Sequence, residues 1–107
     1  DGAILAKMSD RGQISGCIVD GPLSLDCAID QESVDIKKVA GPVAANADCL
    51  LFPNIESGNV FFKAGTKLSG GELAAYVAGA RVPCVHTSRG DTALTTTDSI
   101  ARAALMA

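Results

Sequence analysis

Short apolar runs alternate with segments of helical periodicity along the chain, and turn residues separate them. Helices are predicted where apolar residues recur with helical spacing, at 3–11, 23–29, 32–39, 57–68 and 93–107. Strands are predicted in the β-type runs at 14–19, 47–52 and 83–87, with 73–80 as a strand or the approach to one. This alternation predicts a three-layer α/β/α fold with a mainly parallel sheet.

Three polar turns follow predicted strands, at Asp20-Gly21-Pro22, at 53–59 and at 87–91. In α/β folds the carboxyl ends of parallel strands meet at one edge of the sheet, where ligands bind. The three turns are therefore expected to converge on one cleft. Asp20 and Gly21 have a simpler alternative, because Gly-Pro is a strong turn signal by itself.

The segment around Ser88, Arg89 and Gly90 has the residue types that bind an anion. Gly90 allows the backbone to turn sharply after the predicted strand. Arg makes two-point contacts with phosphate or carboxylate, and the Ser hydroxyl can donate to a developing oxyanion. The same pair also suits a structural role, as a helix cap and a surface ion pair. The residues alone leave both interpretations open.

A second polar group, Ser57-Gly58-Asn59, is predicted to begin a helix. The N–H groups and the positive dipole end of a helix N-terminus attract anions. Lys63 falls one turn after Asn59 on the same helical face. These positions indicate ligand contacts for Gly58, Asn59 and Lys63, with an ordinary capped helix and a solvated lysine as the alternative.

The composition is that of a globular chain, with 48% hydrophobic and 20% charged residues. A net charge of −3 with scattered basic residues argues against a nucleic-acid surface. No apolar run reaches the roughly 18 residues of a membrane span. Without CxxC spacing, the four cysteines are predicted to be reduced thiols of a cytoplasmic protein, mostly acting as small core residues. One histidine with dispersed cysteines gives no metal-ligand spacing.

Three separated motifs resemble the phosphate acetyl/butyryltransferase family. They are VDGPLSLDCAI at 19–29, ADCLLFPNIESGNVFFK at 47–63 and GARVPCVHTSRGD at 79–91, followed by DSIARAA at 98–104. The butyryltransferase branch is most similar, through the wording DGPLxLD and the Asp three residues after Ser88. The resemblance runs from about Asp20 to Ala107. It implies that residues 1–107 are the carboxyl-terminal portion of a phosphate acyltransferase and that its N-terminal domain is absent.

The family resemblance also implies a reaction, reversible acyl transfer between coenzyme A and inorganic phosphate, without a metal or a covalent enzyme intermediate. It implies the fold of isocitrate and isopropylmalate dehydrogenases, an active site between two domains, and a homodimer. Arg89 would bind phosphate or acyl phosphate, and Ser88 would donate to the oxyanion. Acetyltransferases carry their candidate base, an Asp, seven residues after this serine, where Thr95 stands here. Asp91 is then the nearest carboxylate, with a helix N-cap as its structural alternative.

Other function classes are less well supported by the sequence. A phosphotransacetylase-like regulatory domain, as in bacterial malic enzymes, would bind acetyl-CoA without turnover, but such domains have lost the pair that is present here as Ser88 and Arg89. A hydrolase would couple His86 to Ser88, but no orienting carboxylate or nucleophile elbow is visible, so a histidine in the core or behind the site is favoured. A related dehydrogenase or decarboxylase would need a metal-binding carboxylate cluster or a GxGxxG loop, and the sequence has neither.

Overall fold

The computed structural model describes residues 1–107, and its regular secondary structure is helical. The helices are α1 (Gly2–Asp10), α2 (Leu25–Ile29), α3 (Gln31–Lys37), α4 (Ile55–Lys63) and α5 (Ala93–Leu105). A π-helical turn, Ala64–Leu68, continues α4 directly. The chain divides into two compact units, Asp1–Gly58 and Asn59–Ala107.

All five predicted helices are present, with shifts of one to two residues at most ends. The first ends as predicted before Gly12, which has a φ of +71°. Glycine adopts this left-handed backbone conformation without the steric cost that a Cβ would bring. The fourth helix begins at Ile55 rather than residue 57, and its last turn is π-helical rather than α-helical.

The core of the first unit lies where α2 packs against α3. Cys27, Ala28 and Val34 are its buried apolar residues. The intervening Asp30 caps α3, because its carboxylate accepts a hydrogen bond from Ser33 N at 2.8 Å. On the surface of the same pair of helices, Lys37 Nζ lies 2.5 Å from Asp26 Oδ2. This hydrogen bond lowers the pKa of the Asp26 carboxyl far below its ordinary value.

The core of the second unit lies on the inner face of α5. Ser99 and Ala103 are buried there, with only 1% of Ser99 exposed. Ser99 Oγ donates to Thr95 O at 2.7 Å and accepts from Ala75 N at 3.0 Å. One turn further along, the Arg102 guanidinium lies 5.9 Å from the centroid of the Tyr76 ring. These contacts hold the irregular segment around residue 75 against the helix.

The structure contains no β-strand, so the strands predicted at 14–19, 47–52, 73–80 and 83–87 are not formed here. A strand exists only as part of a ladder of main-chain hydrogen bonds to a neighbour. A single such bond, from Val77 N to Cys84 O at 2.8 Å, joins two of these segments. An apolar pattern predicts which residues avoid water, but it does not show which segment pairs with the run as a neighbouring strand.

The core position predicted for most cysteines is also wrong. Cys84 and His86 are exposed, and so are Cys17 and Cys49, whereas Cys27 is buried. All four cysteines are free thiols, in agreement with the prediction that they form no disulfide.

Candidate functional site

The loop that carries Ser88 and Arg89 is a closed turn. Ser88 N donates to Asp91 Oδ2 at 2.7 Å, and Asp91 N donates back to Ser88 O at 3.0 Å. Within this ring Gly90 N lies 3.5 Å from Ser88 Oγ. Ser88 and Arg89 themselves are exposed. The turn therefore fixes the backbone, and the Ser88 hydroxyl accepts from Gly90 N within it, while the Arg89 side chain is exposed.

The structural alternatives for Ser88, Arg89 and Asp91 do not hold. Thr92, not Ser88 or Asp91, is the N-cap of α5, because its hydroxyl accepts from Thr95 N at 3.1 Å. The two ion pairs of the structure, Lys7 with Asp10 and Lys37 with Asp26, leave Arg89 out. Arg89 thus forms no ion pair and Ser88 caps no helix, although the Ser88 hydroxyl accepts from Gly90 N within the turn.

A cavity of about 230 Å³ lies beside this turn, entirely within the second unit. Its walls come from the end of α4, the π-helical turn, the segment after it, the 88–91 turn and the start of α5. The lining residues are Lys63, Thr66, Lys67, Gly71, Glu72, Leu73, Gly90, Asp91, Thr92, Leu94, Thr95 and Asp98. The cavity and the 88–91 turn share Gly90 and Asp91, whereas Ser88 and Arg89 do not line the cavity. The turn and the cavity together form one candidate site.

The π-helical turn shapes one wall of the cavity. Its wider winding is closed by bonds from Ser69 N to Ala64 O at 3.2 Å and from Gly71 N to Gly65 O at 2.9 Å. Lys67, on this turn, reaches across to donate from Nζ to Gly90 O at 3.3 Å. Short π-helical insertions occur often at functional sites. Here the insertion places a lysine against the loop that presents Arg89.

The charged groups of the cavity are mixed in sign. Lys63 and Lys67 contribute two ammonium groups, and Glu72, Asp91 and Asp98 contribute three carboxylates. Lys63 is half-buried, with Nζ 4.3 Å from the centroid of the Phe62 ring. The sequence indicated Lys63, Gly90 and Asp91, but not Lys67, Glu72 or Asp98. The signal for Asp98 was available, because it falls three residues after Thr95 and so lies on the same helical face.

Gly58 and Asn59 do not stand at a helix N-terminus. The helix α4 begins at Ile55, and Asn54 caps it by accepting from Ser57 N at 2.9 Å. Gly58 N already donates to Asn54 O at 3.3 Å within the helix. The prediction that their N–H groups face an anion is therefore wrong. Neither residue lines the cavity, although the exposed side chain of Asn59 leaves other contacts open.

Asp20 and Gly21 shape a turn of the first unit. Asp20 Oδ1 accepts from Gly21 N at 2.8 Å, and its Oδ2 lies 3.5 Å from Val43 N. A Cβ at Gly41 would overlap this carboxylate unless the Asp20 side chain moved. This geometry supports the turn-forming alternative. Contact of either residue with a ligand stays a prediction.

The structure does not support the hydrolase interpretation. His86 is exposed and hydrogen-bonds to no carboxylate. No group of three or more His, Cys, Asp or Glu side chains is arranged to hold a metal ion. None of the helices combines the length and apolar character needed to cross a membrane.

Comparison with known proteins places the chain in a family. A family model described as phosphate acetyl/butaryl transferase matches residues 3–107, and the chain belongs to this family. It is 50% identical over 107 residues to a phosphate butyryltransferase of Clostridium acetobutylicum, covering 100% of this chain and 36% of the relative. It is 45% identical over 107 residues to a phosphate acetyltransferase of Thermotoga maritima, with the same coverage of 100% and 36%.

A solved structure is similar in fold. The crystal structure of a branched-chain phosphotransacylase from Enterococcus faecalis superposes with a TM-score of 0.79 at 34% sequence identity. The superposition covers 95% of this chain and 39% of that one. The chain thus spans a little over a third of the length of the relatives it matches.

Proposed function

We propose that the full-length protein carrying these residues is a phosphate acyltransferase of the acetyl or butyryl type, converting acyl-CoA and phosphate to acyl phosphate and CoA. Membership of the family supports the reaction class. The observation that carries the proposal is the closed 88–91 turn, which presents exposed Ser88 and Arg89 beside a cavity. No capping or ion-pairing role accounts for either side chain.

The residues of the turn match what the reaction requires. A phosphate oxygen attacks the thioester carbonyl carbon, negative charge builds on the carbonyl oxygen, and the carbon–sulfur bond breaks to release a thiolate. Arg89 holds the phosphate through its planar, permanently charged guanidinium. Ser88 donates its hydroxyl proton in a hydrogen bond to the developing oxyanion. A thiol has a pKa of about 8.5, so its thiolate leaves without strong acid catalysis. Positioned hydrogen-bond donors therefore provide most of the rate acceleration. The proposal needs no metal or other cofactor.

The other predicted site residues fall into two groups, those that line the cavity and those that do not. Gly90 and Lys63 line the cavity, and we assign them to substrate contact there. Asp91 holds the turn through its bond to Ser88 N, and its carboxylate is the second candidate for a direct part in the chemistry. Contact of Asp20, Gly21, Gly58 or Asn59 with substrate rests on the family resemblance alone.

The family resemblance supports three broader proposals for the full-length protein. These are the three-layer α/β/α fold of the isocitrate dehydrogenase type, a homodimer and a cytoplasmic location. The likeness to a phosphotransacylase structure agrees with the first. The small residues of α5, such as Ala101 and Ala104, which are exposed here, are compatible with the second. The free thiols agree with the third.

The test is phosphate-dependent release of thiol from acetyl-, propionyl- and butyryl-CoA by the full-length protein. We expect release only when phosphate is present, with acyl phosphate formed in equal amount. The acyl group with the highest kcat/KM identifies the branch of the family. Binding of acetyl-CoA without phosphate-dependent release would instead favour a regulatory domain.

A further inference from the structure

The first turns of α5 direct a carboxylate toward the cavity. Leu94, Thr95 and Asp98 line it together, as expected for positions three and four residues apart on a helix. Asp98 is half-buried. It takes part in none of the hydrogen bonds or ion pairs of the structure, so its carboxylate faces the cavity without a protein partner.

The reverse reaction requires a proton acceptor, and a carboxylate such as that of Asp98 can serve as one. When CoA attacks an acyl phosphate, its thiol must lose a proton, and a neutral hydroxyl is a poor acceptor for it. Thr95 is such a hydroxyl, and it is already engaged with Thr92 Oγ1 at 3.1 Å. Asp91 Oδ2 is occupied by Ser88 N at 2.7 Å. Glu72 lies on the exposed rim of the cavity. Asp98 is the remaining carboxylate.

We propose that Asp98 is the general base that removes the CoA thiol proton, an assignment that rests on the proposed acyltransferase function. The thiol proton moves to the Asp98 carboxylate as sulfur bonds to the carbonyl carbon of the acyl phosphate. The bond from that carbon to the bridging oxygen then breaks, and phosphate leaves and takes up the proton. In the forward direction Asp98 takes a proton from the attacking phosphate and passes it to the departing thiolate. The base thus lies one helical turn beyond the position that Thr95 occupies.

The surroundings of Asp98 combine both signs of charge. Lys63 and Lys67 are the cations of the cavity, and Glu72 and Asp91 are its other carboxylates. The positive charge of the two ammonium groups would stabilise the thiolate that forms during transfer. Lys63 belongs to α4 and Lys67 to the π-helical turn, whereas Asp98 belongs to α5, so the cations and the carboxylate come from different elements.

The test is the pH dependence of CoA acylation by acyl phosphate, measured on the full-length protein and its Asp98→Asn variant. Loss of a general base typically lowers the rate by about 100-fold to 10,000-fold. The residual rate of Asp98→Asn should then rise about tenfold per pH unit up to roughly pH 8.5, because the free thiolate fraction rises in that way. The unsubstituted protein should lack this steep rise between pH 6 and 8.

Two variants serve as controls. Asp98→Glu keeps a carboxylate and should restore the shallow pH profile at a reduced rate. Asp35→Asn changes an exposed aspartate on α3, outside the site, and should match the unsubstituted protein. Circular dichroism of each variant checks that the helices are retained.

Several results would overturn the assignment. A rate for Asp98→Asn within threefold of the unsubstituted protein, or an equal loss at every pH, would show that Asp98 is not the base. A steep profile in Asp91→Asn, with a shallow one in Asp98→Asn, would move the role to Asp91. Absence of phosphate-dependent turnover in the unsubstituted protein is a separate outcome. It would overturn the proposed acyltransferase function, and with it the assignment of Asp98 as the general base.

Discussion

The carboxylate of Asp91 accepts a hydrogen bond from the main-chain N–H of Ser88, with 2.7 Å between Oδ2 and N. A second bond, from Asp91 N to Ser88 O at 3.0 Å, closes the turn from the other side. Lys67 braces the same turn by donating to Gly90 O at 3.3 Å. Asp91 is therefore a positioning residue for Ser88 and Arg89, because it fixes the backbone from which both side chains project.

Replacement of Asp91 should lower turnover through this turn. A hydrogen bond to a charged group is worth about 1.5–3 kcal/mol, so we expect Asp91→Ala to lower kcat/KM in the full-length protein by about 10-fold to 150-fold. Asp91→Asn retains an acceptor oxygen and should lose less than about tenfold. Steady-state kinetics of phosphate-dependent thiol release measures both. Equal damage in the two variants would show that the charge of Asp91, rather than its acceptor, is required.

Ser99 should contribute to stability rather than to turnover. Its hydroxyl is buried and joins Ala75 N to Thr95 O. Ser99→Ala leaves the Ala75 N–H without its acceptor, so we expect a loss of about 1–3 kcal/mol in the free energy of unfolding. Urea denaturation of the 107-residue chain measures this. The matched control is Thr97→Ala on the exposed face of α5, whose hydroxyl bonds only to Ala93 O of its own helix. A Ser99→Ala loss no larger than that of the control would contradict the bridging role.

The pair formed by Asp26 and Lys37 predicts a pH dependence of stability. The hydrogen bond from Lys37 lowers the pKa of Asp26 below its ordinary value of 3.8, and Ser24 adds to the effect. The same bond raises the pKa of Lys37 above its ordinary value of 10.5. Stabilisation by Asp26 is therefore present above about pH 4 and lost as the pH falls below it. Stabilisation by Lys37 is present below about pH 10 and lost as the pH rises further.

Denaturation of the 107-residue chain between pH 2 and 5 tests the acid side. Asp26→Asn should show a smaller loss of stability over this range than the unsubstituted chain. Some loss should remain, because the Asp30 carboxylate that caps α3 also has a lowered pKa, caused mainly by its hydrogen bonds with Ser33. Identical acid profiles for the two chains would show that the bond between Asp26 and Lys37 contributes nothing measurable.

The helices were predictable because their signals are local. The helix α1 ends before Gly12, as the predicted range implied, and α5 has the predicted start at Ala93. Caps were less predictable, since Asp91 and Thr92 are neighbours that both favour N-cap positions, Asp more strongly than Thr. Only the structure shows that Thr92 bonds to Thr95 N while Asp91 turns back to Ser88. The same ambiguity shifted the start of α4 from Ser57 to Ile55, behind the cap Asn54.

The strands and the cavity depend on relations that a single sequence does not contain. The run at 83–87 is apolar, yet its one main-chain bond to a neighbouring segment goes from Val77 N to Cys84 O. The apolar pattern of a run does not identify the segment whose main chain bonds to it. Lys67 and Asp98 likewise join the candidate site through tertiary contacts around the π-helical turn. By contrast, the chemical character of Ser88 and Arg89 was evident from their residue types and from the family resemblance.

Arg89 tests the central claim most directly. The measurement is kcat/KM for phosphate in thiol release from the preferred acyl-CoA, in the full-length protein, in Arg89→Ala and in Arg81→Ala. Arg81 is a second exposed arginine of the same unit and lies outside the turn and the cavity. We expect Arg89→Ala to lose at least about 100-fold, since a positioned charge on the reacting phosphate is worth several kcal/mol, while Arg81→Ala stays within about threefold. Near-normal phosphate kinetics in Arg89→Ala would contradict the assignment of the 88–91 turn as the phosphate site.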